Sequence, residues 1–165
     1  MKHQVVFIGD SADGKTTLIN RVRTGKFAPY VRTTIGCDFS SYVYNDGDTK
    51  HSTMFWDTCG RMEYISMIMP YIHKADLIVI VYDVAKPDSI SGWLEYVPNE
   101  SMVMIVLVIR DEKIDSIKRC EHMVADPINI ITGENIESFE NDMKRLLSKK
   151  VKDALRSSIC ALIMI

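Results

Sequence analysis

The sequence predicts an α/β fold, an open and mostly parallel sheet with helices on both faces and one antiparallel strand at its edge. Three apolar runs, Val5–Ile8, Leu77–Tyr82 and Met102–Ile109, are typical of buried parallel strands because they are apolar throughout. Segments with helical spacing lie between these runs. This alternation of strand and helix favours the α/β class.

A hairpin accounts for the antiparallel edge. Two short strands, Ser40–Tyr44 and Ser52–Trp56, flank residues Asn45–Asp48. The pair Asp46 and Gly47 in that stretch is a hairpin signal, because such a pair suits a tight turn between strands. We therefore expect the two strands to pair with each other.

Helical segments are predicted over Lys15–Thr24, over Tyr64–His73 and over a shortened stretch, Ser89–Tyr96, which meets Pro98. A further helix near the C-terminus has apolar residues at helical spacing, and we expect it to cover one face of the sheet. Its apolar positions are Ile136, Phe139, Met143, Leu146, Leu147, Val151, Ala154, Leu155 and Ile159.

Length and composition indicate one domain over residues 1–165, with 47% hydrophobic and 25% charged residues. The net charge of −2 and the pI near 6.1 give no basic excess, so we expect no nucleic-acid partner. Four cysteines lie far apart without a CxxC pair, which favours a reduced cytoplasmic protein over a zinc site or disulfide framework. No signal peptide or membrane span is predicted.

A glycine-bounded loop with the pattern G-x-x-x-x-G-K-T joins the first strand to the first helix. It runs from Gly9 to Gly14, and Lys15 and Thr16 follow at once. Such loops turn backbone N–H groups toward phosphate oxygens, and the helix N-terminus adds a partial positive charge. Lys15 would reach the outer phosphates, and Thr16 would offer its hydroxyl to Mg²⁺. The alternative is a chance loop that contains a lysine.

Two further motifs narrow the class of phosphate-binding protein. Asp57 and Gly60 form a D-x-x-G motif after a strand; the aspartate can hold Mg²⁺ through water, and the Gly60 N–H can meet a terminal phosphate. Upstream, a threonine in the segment Thr33–Phe39 can close on the metal while that phosphate is present. The two motifs together disfavour an unrelated P-loop kinase or ATPase.

These segments resemble the Rab branch of the Ras-like small GTPases. The resemblance is carried by TIGCDF at 34–39, FWDTCGRMEY at 55–64, PYIHKA at 70–75 and IVYDV at 80–84, and it is close over residues 3 to about 90. It implies a single P-loop G domain that binds GTP or GDP with Mg²⁺, hydrolyses GTP and acts in vesicle trafficking. It also implies a monomer, cytoplasmic or peripheral on endomembranes.

The resemblance implies a role for individual residues as well. Switch I would span 28–39 and switch II 57–70, and both would bind effectors, an exchange factor and a GTPase-activating protein. Thr16 and Thr34 would coordinate Mg²⁺ with Asp57 in its outer shell, and Phe27 would pack on the guanine. The phosphates would be surrounded by Gly9, Asp13, Gly14, Lys15, Thr16 and Thr17, and the catalytic set would be Lys15, Thr34, Gly60 and Arg61.

Two residues depart from the family pattern near the phosphates. Arg61 stands where small GTPases usually have glutamine, and a guanidinium only donates hydrogen bonds, so it cannot accept a proton from the attacking water. We therefore predict slow intrinsic hydrolysis. Asp13 puts an acid in the phosphate loop, and we expect its side chain to point outward, because a carboxylate facing the phosphates would weaken binding.

The half of the chain that would read the base departs further. Lys113 and Asp115 fall at the distance expected for the guanine-reading N-K-x-D loop, with Glu112 in place of asparagine. A rival register over 110–113 would destroy this motif, and a solvated charged turn is a further alternative. The helix expected between 115 and 132 is short by about three turns.

The last base-binding motif of the family, S-A-K, is missing before the family-like Thr132–Ile136. The sequence there is Asn129, Ile130 and Ile131, and the Ile130 N–H could still contact the guanine carbonyl. Because a hydroxyl is lost, we expect a looser loop and weakened guanine selectivity.

Two further expectations concern partners. Phe39 and Trp56 are interpreted as hydrophobic packing, although similar aromatics contact partners in Rab proteins. Cys160 is not fourth from the end, so no prenylation signal and no membrane anchor is expected, the alternative being a lipidated tail that this sequence does not include. A degenerate interaction module on the GTPase fold, with weak or absent nucleotide binding, is the alternative function.

Overall fold

The computed structural model describes residues 2–46, 48–83, 89–99, 101–109 and 128–148. A six-stranded sheet in the order β2-β3-β1-β4-β5-β6 forms its centre. Its strands are β1 Lys2–Ile8, β2 Cys37–Asp46, β3 Thr49–Thr58, β4 Leu77–Asp83, β5 Val103–Ile109 and β6 Ile128–Asn129. The helices are α1 Lys15–Thr24, α2 Ile65–Lys74, α3 Ser89–Leu94 and α4 Ile136–Ser148, and a 3-10 turn, Met62–Tyr64, precedes α2.

The predicted class is confirmed, since β2 alone runs antiparallel within the described sheet. β1 pairs parallel with β3 on one side and β4 on the other, and β4, β5 and β6 continue the parallel ladder. The three apolar runs are β1, β4 and β5. The two-residue strand β6 was not expected, because two residues cannot display a strand pattern.

The hairpin β2–β3 is confirmed and is longer than predicted. It pairs from Cys37 with Thr58 at one end to Asp46 with Thr49 at the other. The sequence interpretation assigned four residues to the turn, but strand pairing continues through Asn45 and Asp46. Tyr44 stacks on His51, one residue before the predicted second strand, with ring centroids 4.9 Å apart, which agrees with this extension.

Two hydrophobic clusters cover the two faces of the sheet, because successive strand residues point to opposite sides. Val5 and Phe7 face the cluster formed with α1 and α4, and Val6 and Ile8 face the cluster formed with α2 and α3. The expectation that the C-terminal helix covers one face is confirmed by its buried residues Phe139, Met143, Leu146 and Leu147.

Helix boundaries differ slightly from the predicted ones. α3 ends at Leu94 rather than Tyr96, and the Tyr96 and Val97 N–H groups bond to carbonyls three residues back. α4 is described to Ser148, and the predicted positions from Val151 to Ile159 lie outside the described residues. In the described part, none of the helices has the length and apolarity that a membrane span needs.

The strand order determines where a ligand can bind. After β1 the chain forms β2 and β3 on one side of that strand, and it then crosses to the other side to form β4, β5 and β6. The direction in which strands are added to the sheet therefore reverses at β1. Open α/β sheets bind ligands at the carboxyl ends of their strands beside such a point. The loop after β1, the loop after β3 and the start of β2 meet there.

Candidate functional site

The loop between β1 and α1 has a conformation that two of its glycines make possible. At Gly9 φ is +138°, and a Cβ there would overlap the carbonyl oxygen of Val81 in the neighbouring strand. Gly14 precedes α1 with φ 95° and offers no side-chain cap. The first N–H groups of α1 therefore face the end of the sheet without a side chain to satisfy them.

Lys15 lies under this loop and is 4% exposed. Its ammonium donates to the carbonyls of Gly9 at 2.8 Å and Asp10 at 2.6 Å. Because an ammonium has three protons, one donor remains for another acceptor. Burial lowers the pKa of Lys15, and the carboxylates of Asp13, Asp57 and Asp10 oppose this change. Lys15 is thus a cation held at the floor of the loop.

The expectation that Asp13 points outward is wrong. Asp13 is 1% exposed, and its carboxylate accepts a 3.0 Å hydrogen bond from the Asp10 N–H inside the loop. The curled backbone offers this donor to a short acidic side chain, and sequence alone does not show in which direction such a side chain points. A buried negative charge therefore lies close to the lysine ammonium.

Three oxygen-bearing side chains from different elements meet beside the loop. The Thr16 hydroxyl at the start of α1 donates to the Asp57 carboxylate at 2.6 Å, and the Thr34 hydroxyl contacts the same oxygen at 3.1 Å. The two hydroxyl oxygens are 3.1 Å apart. The structure thus brings together the three residues for which the sequence suggested metal binding.

Asp57 has unused capacity for a ligand. Its Oδ2 accepts from both threonines, whereas its buried Oδ1 has no hydrogen-bond partner in the described part of the chain. Burial raises the pKa of Asp57, while Thr16, Thr34 and Lys15 act in the opposite direction. Oxygen donors of this kind fit Mg²⁺. The described residues contain no cluster of three His, Cys, Asp or Glu side chains suited to a metal.

A cavity of about 360 Å³ opens above these groups. Its lining includes Lys15, Thr16, Thr17 and Thr34 together with Phe27 and Ile130. These residues come from α1, from the segment after α1 and from the loop after β6. One continuous space therefore joins the predicted phosphate side to the predicted base side.

The loop after β6 is held more firmly than the missing S-A-K motif suggested. Asn129, which is 2% exposed, accepts hydrogen bonds at 3.0 Å from the N–H groups of both Ile131 and Thr132. From α1, Arg21 donates to the Thr132 carbonyl at 3.0 Å. The amide of Asn129 thus replaces the lost hydroxyl support, and the expectation of a loose loop is wrong.

The sequence interpretation missed two residues that support the site, and two of its predicted site residues lie outside the part of the chain that the structure describes. The sequence interpretation did not single out Arg21, because one arginine in an amphipathic helix carries no distinguishing signal. The buried Trp93 indole of α3 donates to the Asp10 carboxylate at 2.8 Å and so connects the phosphate loop to α3. Lys113 and Asp115 lie outside the described residues.

Gly60 and Arg61 follow β3 beside the loop. A Cβ at Gly60 would lie 2.5 Å from the Lys15 Nζ, and its φ is +70°, so this position requires glycine. Arg61 turns away, its side chain 53% exposed and 3.6 Å from the Glu63 carboxylate, and it does not line the cavity. Of the four suggested catalytic residues, Lys15 and Thr34 line the cavity, whereas Gly60 and Arg61 do not.

Aromatic residues form a surface next to the segment before β2 and the segment after β3. Trp56 packs on Tyr71 with ring centroids 4.4 Å apart and lies at the margin of the core, as predicted. Phe39 is 62% exposed and rests on Trp56 at 5.7 Å. Phe39 is therefore packed against Trp56 and still largely exposed, and Ile35 and Met67 are further exposed apolar residues in the segments before β2 and after β3.

Comparisons with known proteins agree with this geometry. The domain described as "Ras of Complex, Roc, domain of DAPkinase" matches residues 4–115. The probable Ras-related protein Rab-4A of Echinococcus multilocularis is 28% identical over 164 residues, covering 89% of this chain and 74% of that protein. The Ras-related protein Rab-26 of Bos taurus is 33% identical over 117 residues, 68% of this chain and 46% of that protein.

A third relative is much longer. The EF-hand calcium-binding domain-containing protein 4B of Homo sapiens is 27% identical over 121 residues, 72% of this chain but 17% of that protein. The chain thus spans less than half the length of two of these three relatives. Since the domain match covers more than half of the chain and the fold agrees with it, the chain belongs to the Rab/Ras superfamily of small GTPases as a divergent member.

Proposed function

We propose that this protein is a guanine-nucleotide switch that binds GTP or GDP with Mg²⁺, hydrolyses GTP slowly and changes its partner binding accordingly. The contact of Thr16, Thr34 and Asp57 carries the proposal. It joins the phosphate loop, the proposed switch I and the proposed switch II at one point beside the cavity. An ordinary packing contact would not need three oxygen donors there.

The phosphate side of the cavity supports this function. The remaining proton of Lys15 and the uncapped first turn of α1 can donate to phosphate oxygens. Gly60 lies against the lysine, so its backbone can approach a terminal phosphate closely. Phe27 and Ile130 add apolar lining to the same cavity, which is suited to a base.

The metal proposal rests on the donors around Asp57. Thr16 and Thr34 would bind the ion through their hydroxyls, and Asp57 Oδ1, which no described residue contacts by a hydrogen bond, would hold one of its waters. When bound, Mg²⁺ would neutralise charge on the outer phosphates.

The proposed change in partner binding is supported by the contacts and exposed residues near Thr34. The Cys59 N–H donates to the Gly36 carbonyl at 2.9 Å, so the two proposed switches are joined by backbone as well as by side chains. Ile35 and Phe39 are exposed beside them. A change at Thr34 would therefore move apolar groups that effectors, an exchange factor or a GTPase-activating protein can contact. A role in vesicle trafficking is proposed from the Rab relatives.

Slow hydrolysis is proposed from Arg61. Its guanidinium faces Glu63 and lacks an acceptor for the attacking water. An activating protein that supplies glutamine and arginine from outside would still accelerate the reaction.

The interaction module is the second candidate, and the buried Asp13 favours it. A carboxylate inside the phosphate loop repels phosphate oxygens and weakens nucleotide binding. In this case the exposed residues around Phe39 would serve partner binding without a nucleotide.

Calorimetric titration of the nucleotide-free protein with GTP, GDP and ATP tests the proposal, each with and without Mg²⁺. A guanine-nucleotide switch binds GTP and GDP tightly, excludes ATP and loses affinity in EDTA. A Lys15→Ala variant should abolish binding, whereas Lys26→Ala, which removes an exposed charge outside the cavity, should not. Unselective or absent binding by the unmodified protein would refute the switch and favour the module.

A further inference from the structure

The phosphate loop holds more negative charge near its lysine than binding a phosphate would favour. Asp13 and Asp57 are 1% and 7% exposed, and both carboxylates act electrostatically on the buried Lys15 ammonium. Each of them cancels part of the attraction between that ammonium and a phosphate. Mg²⁺ would offset Asp57, but Asp13 lies inside the loop itself. A triphosphate would therefore benefit from another cation.

Arg32 is such a cation, and the sequence interpretation did not use it. Among the described residues, Lys15 and Arg32 are the two cationic side chains that line the cavity. Arg32 is exposed, and it has neither a hydrogen bond nor an ion pair with any residue in the described ranges. It lies two residues before Thr34, on the same segment, so closure of that segment on the metal would carry Arg32 with it.

Arg61 offers a comparison within the same site. It belongs to the segment after β3, yet its guanidinium is directed to Glu63 and lies outside the cavity lining. Of the two arginines in the proposed switches, Arg32 is thus the one whose charge is available to a ligand. Guanidinium groups bind phosphate in a forked geometry that a point charge does not reproduce.

We propose that Arg32 contacts the terminal phosphate of bound GTP and supplies, from within this chain, positive charge that the reaction requires. This inference rests on the proposed function. In hydrolysis the water oxygen bonds to the γ-phosphorus while the bond from that phosphorus to the β–γ bridging oxygen breaks. The electron pair stays on GDP, and the proton of the water passes to the released phosphate. Arg32 stabilises the charge on the transferring group.

The experiment compares ligands that differ by the terminal phosphate. Dissociation constants for GDP and for a non-hydrolysable GTP analogue, both with Mg²⁺, are measured for the unmodified protein, Arg32→Ala, Arg32→Lys and the control Lys26→Ala. Inorganic diphosphate and triphosphate repeat the comparison without a base. Single-turnover hydrolysis at saturating GTP separates catalysis from binding.

We expect Arg32→Ala to lose about tenfold in affinity for the GTP analogue and about twofold or less for GDP, the range of a charge-assisted hydrogen bond in a partly exposed site. Arg32→Lys should recover part of the loss, and Lys26→Ala should show none. Single-turnover hydrolysis by Arg32→Ala should fall as well. Equal losses for GDP and the analogue, or no loss, would overturn the inference and leave the proposed function standing.

The base-free ligands distinguish the two proposals. If triphosphate binds and depends on Arg32 while guanine nucleotides do not bind selectively, the proposed function is overturned and the role of Arg32 stands. If neither guanine nucleotides nor triphosphate bind, both are overturned.

Discussion

Asn129 should stabilise the loop after β6 more than any packing contact there. Its Oδ1 accepts two backbone hydrogen bonds of 3.0 Å while the residue is 2% exposed. Asn129→Leu keeps the approximate volume and removes both acceptor contacts. Each hydrogen bond contributes about 1 kcal/mol net, and the half-exposed Ile131 can regain water at its N–H. We therefore expect a loss of about 2 kcal/mol.

Urea unfolding measures this loss. With a slope of about 2 kcal/mol/M, the midpoint should fall by about 1 M. Asn129→Asp is the matched control, because a carboxylate accepts the same two bonds, and it should lose much less. Equal midpoints for the two variants would refute the assignment of stability to these bonds. In addition, GDP affinity should fall in Asn129→Leu while diphosphate affinity does not, since Ile130 and Ile131 of this loop line the cavity where we propose that the base binds.

Three other perturbations test separate parts of the site. Arg61→Gln should raise single-turnover GTP hydrolysis by about tenfold or more, because an amide can orient water; Arg61→Lys should not, and equal rates for the two would contradict this. Asp13→Asn keeps an acceptor for the Asp10 N–H but removes the charge, so GDP affinity measured by titration should rise about tenfold; an unchanged affinity would show that the charge is screened. Burial lowers the pKa of His3 below 6.5, so the folded state resists protonation of this side chain. The free energy of unfolding should therefore fall as pH drops from 6.5 toward the pKa of His3 in the folded protein. Urea midpoints measured at two pH values in this range should differ less in His3→Gln than in the unmodified protein.

Sequence reasoning succeeded where a repeated pattern carries the information. The uniformly apolar run of β4 and the spacing of Phe139, Met143 and Leu146 each repeat a signal over several turns or residues. The sequence did not predict β6, because its two residues are a strand only through their pairing with β5. Because such a short strand forms only by pairing with a neighbouring strand, no pattern in its own residues predicts it.

The candidate site likewise contains features that a sequence pattern predicts and features that only the folded structure shows. The phosphate-loop spacing identified Lys15 and Thr16, because a local loop geometry requires them at those positions. The direction of Asp13 and the anchoring by Asn129 depend on which backbone N–H groups a folded loop turns inward. These donors become visible only in three dimensions, and both incorrect expectations concerned a side chain bonding to its own loop.

The hairpin explains how one event could act on both proposed switches. The segment before β2 and the segment after β3 leave the sheet from paired residues, Cys37 and Thr58. The next pair outward is already joined by the Cys59 N–H and the Gly36 carbonyl. The hairpin pairing fixes both starting points at the same end of the sheet, and a movement that separates the two segments would break this backbone hydrogen bond. Thr34 lies three residues before Cys37, and Asp57 lies within β3, one residue before Thr58. A ligand that holds their oxygens together would therefore order both segments at once, and its loss would release them together.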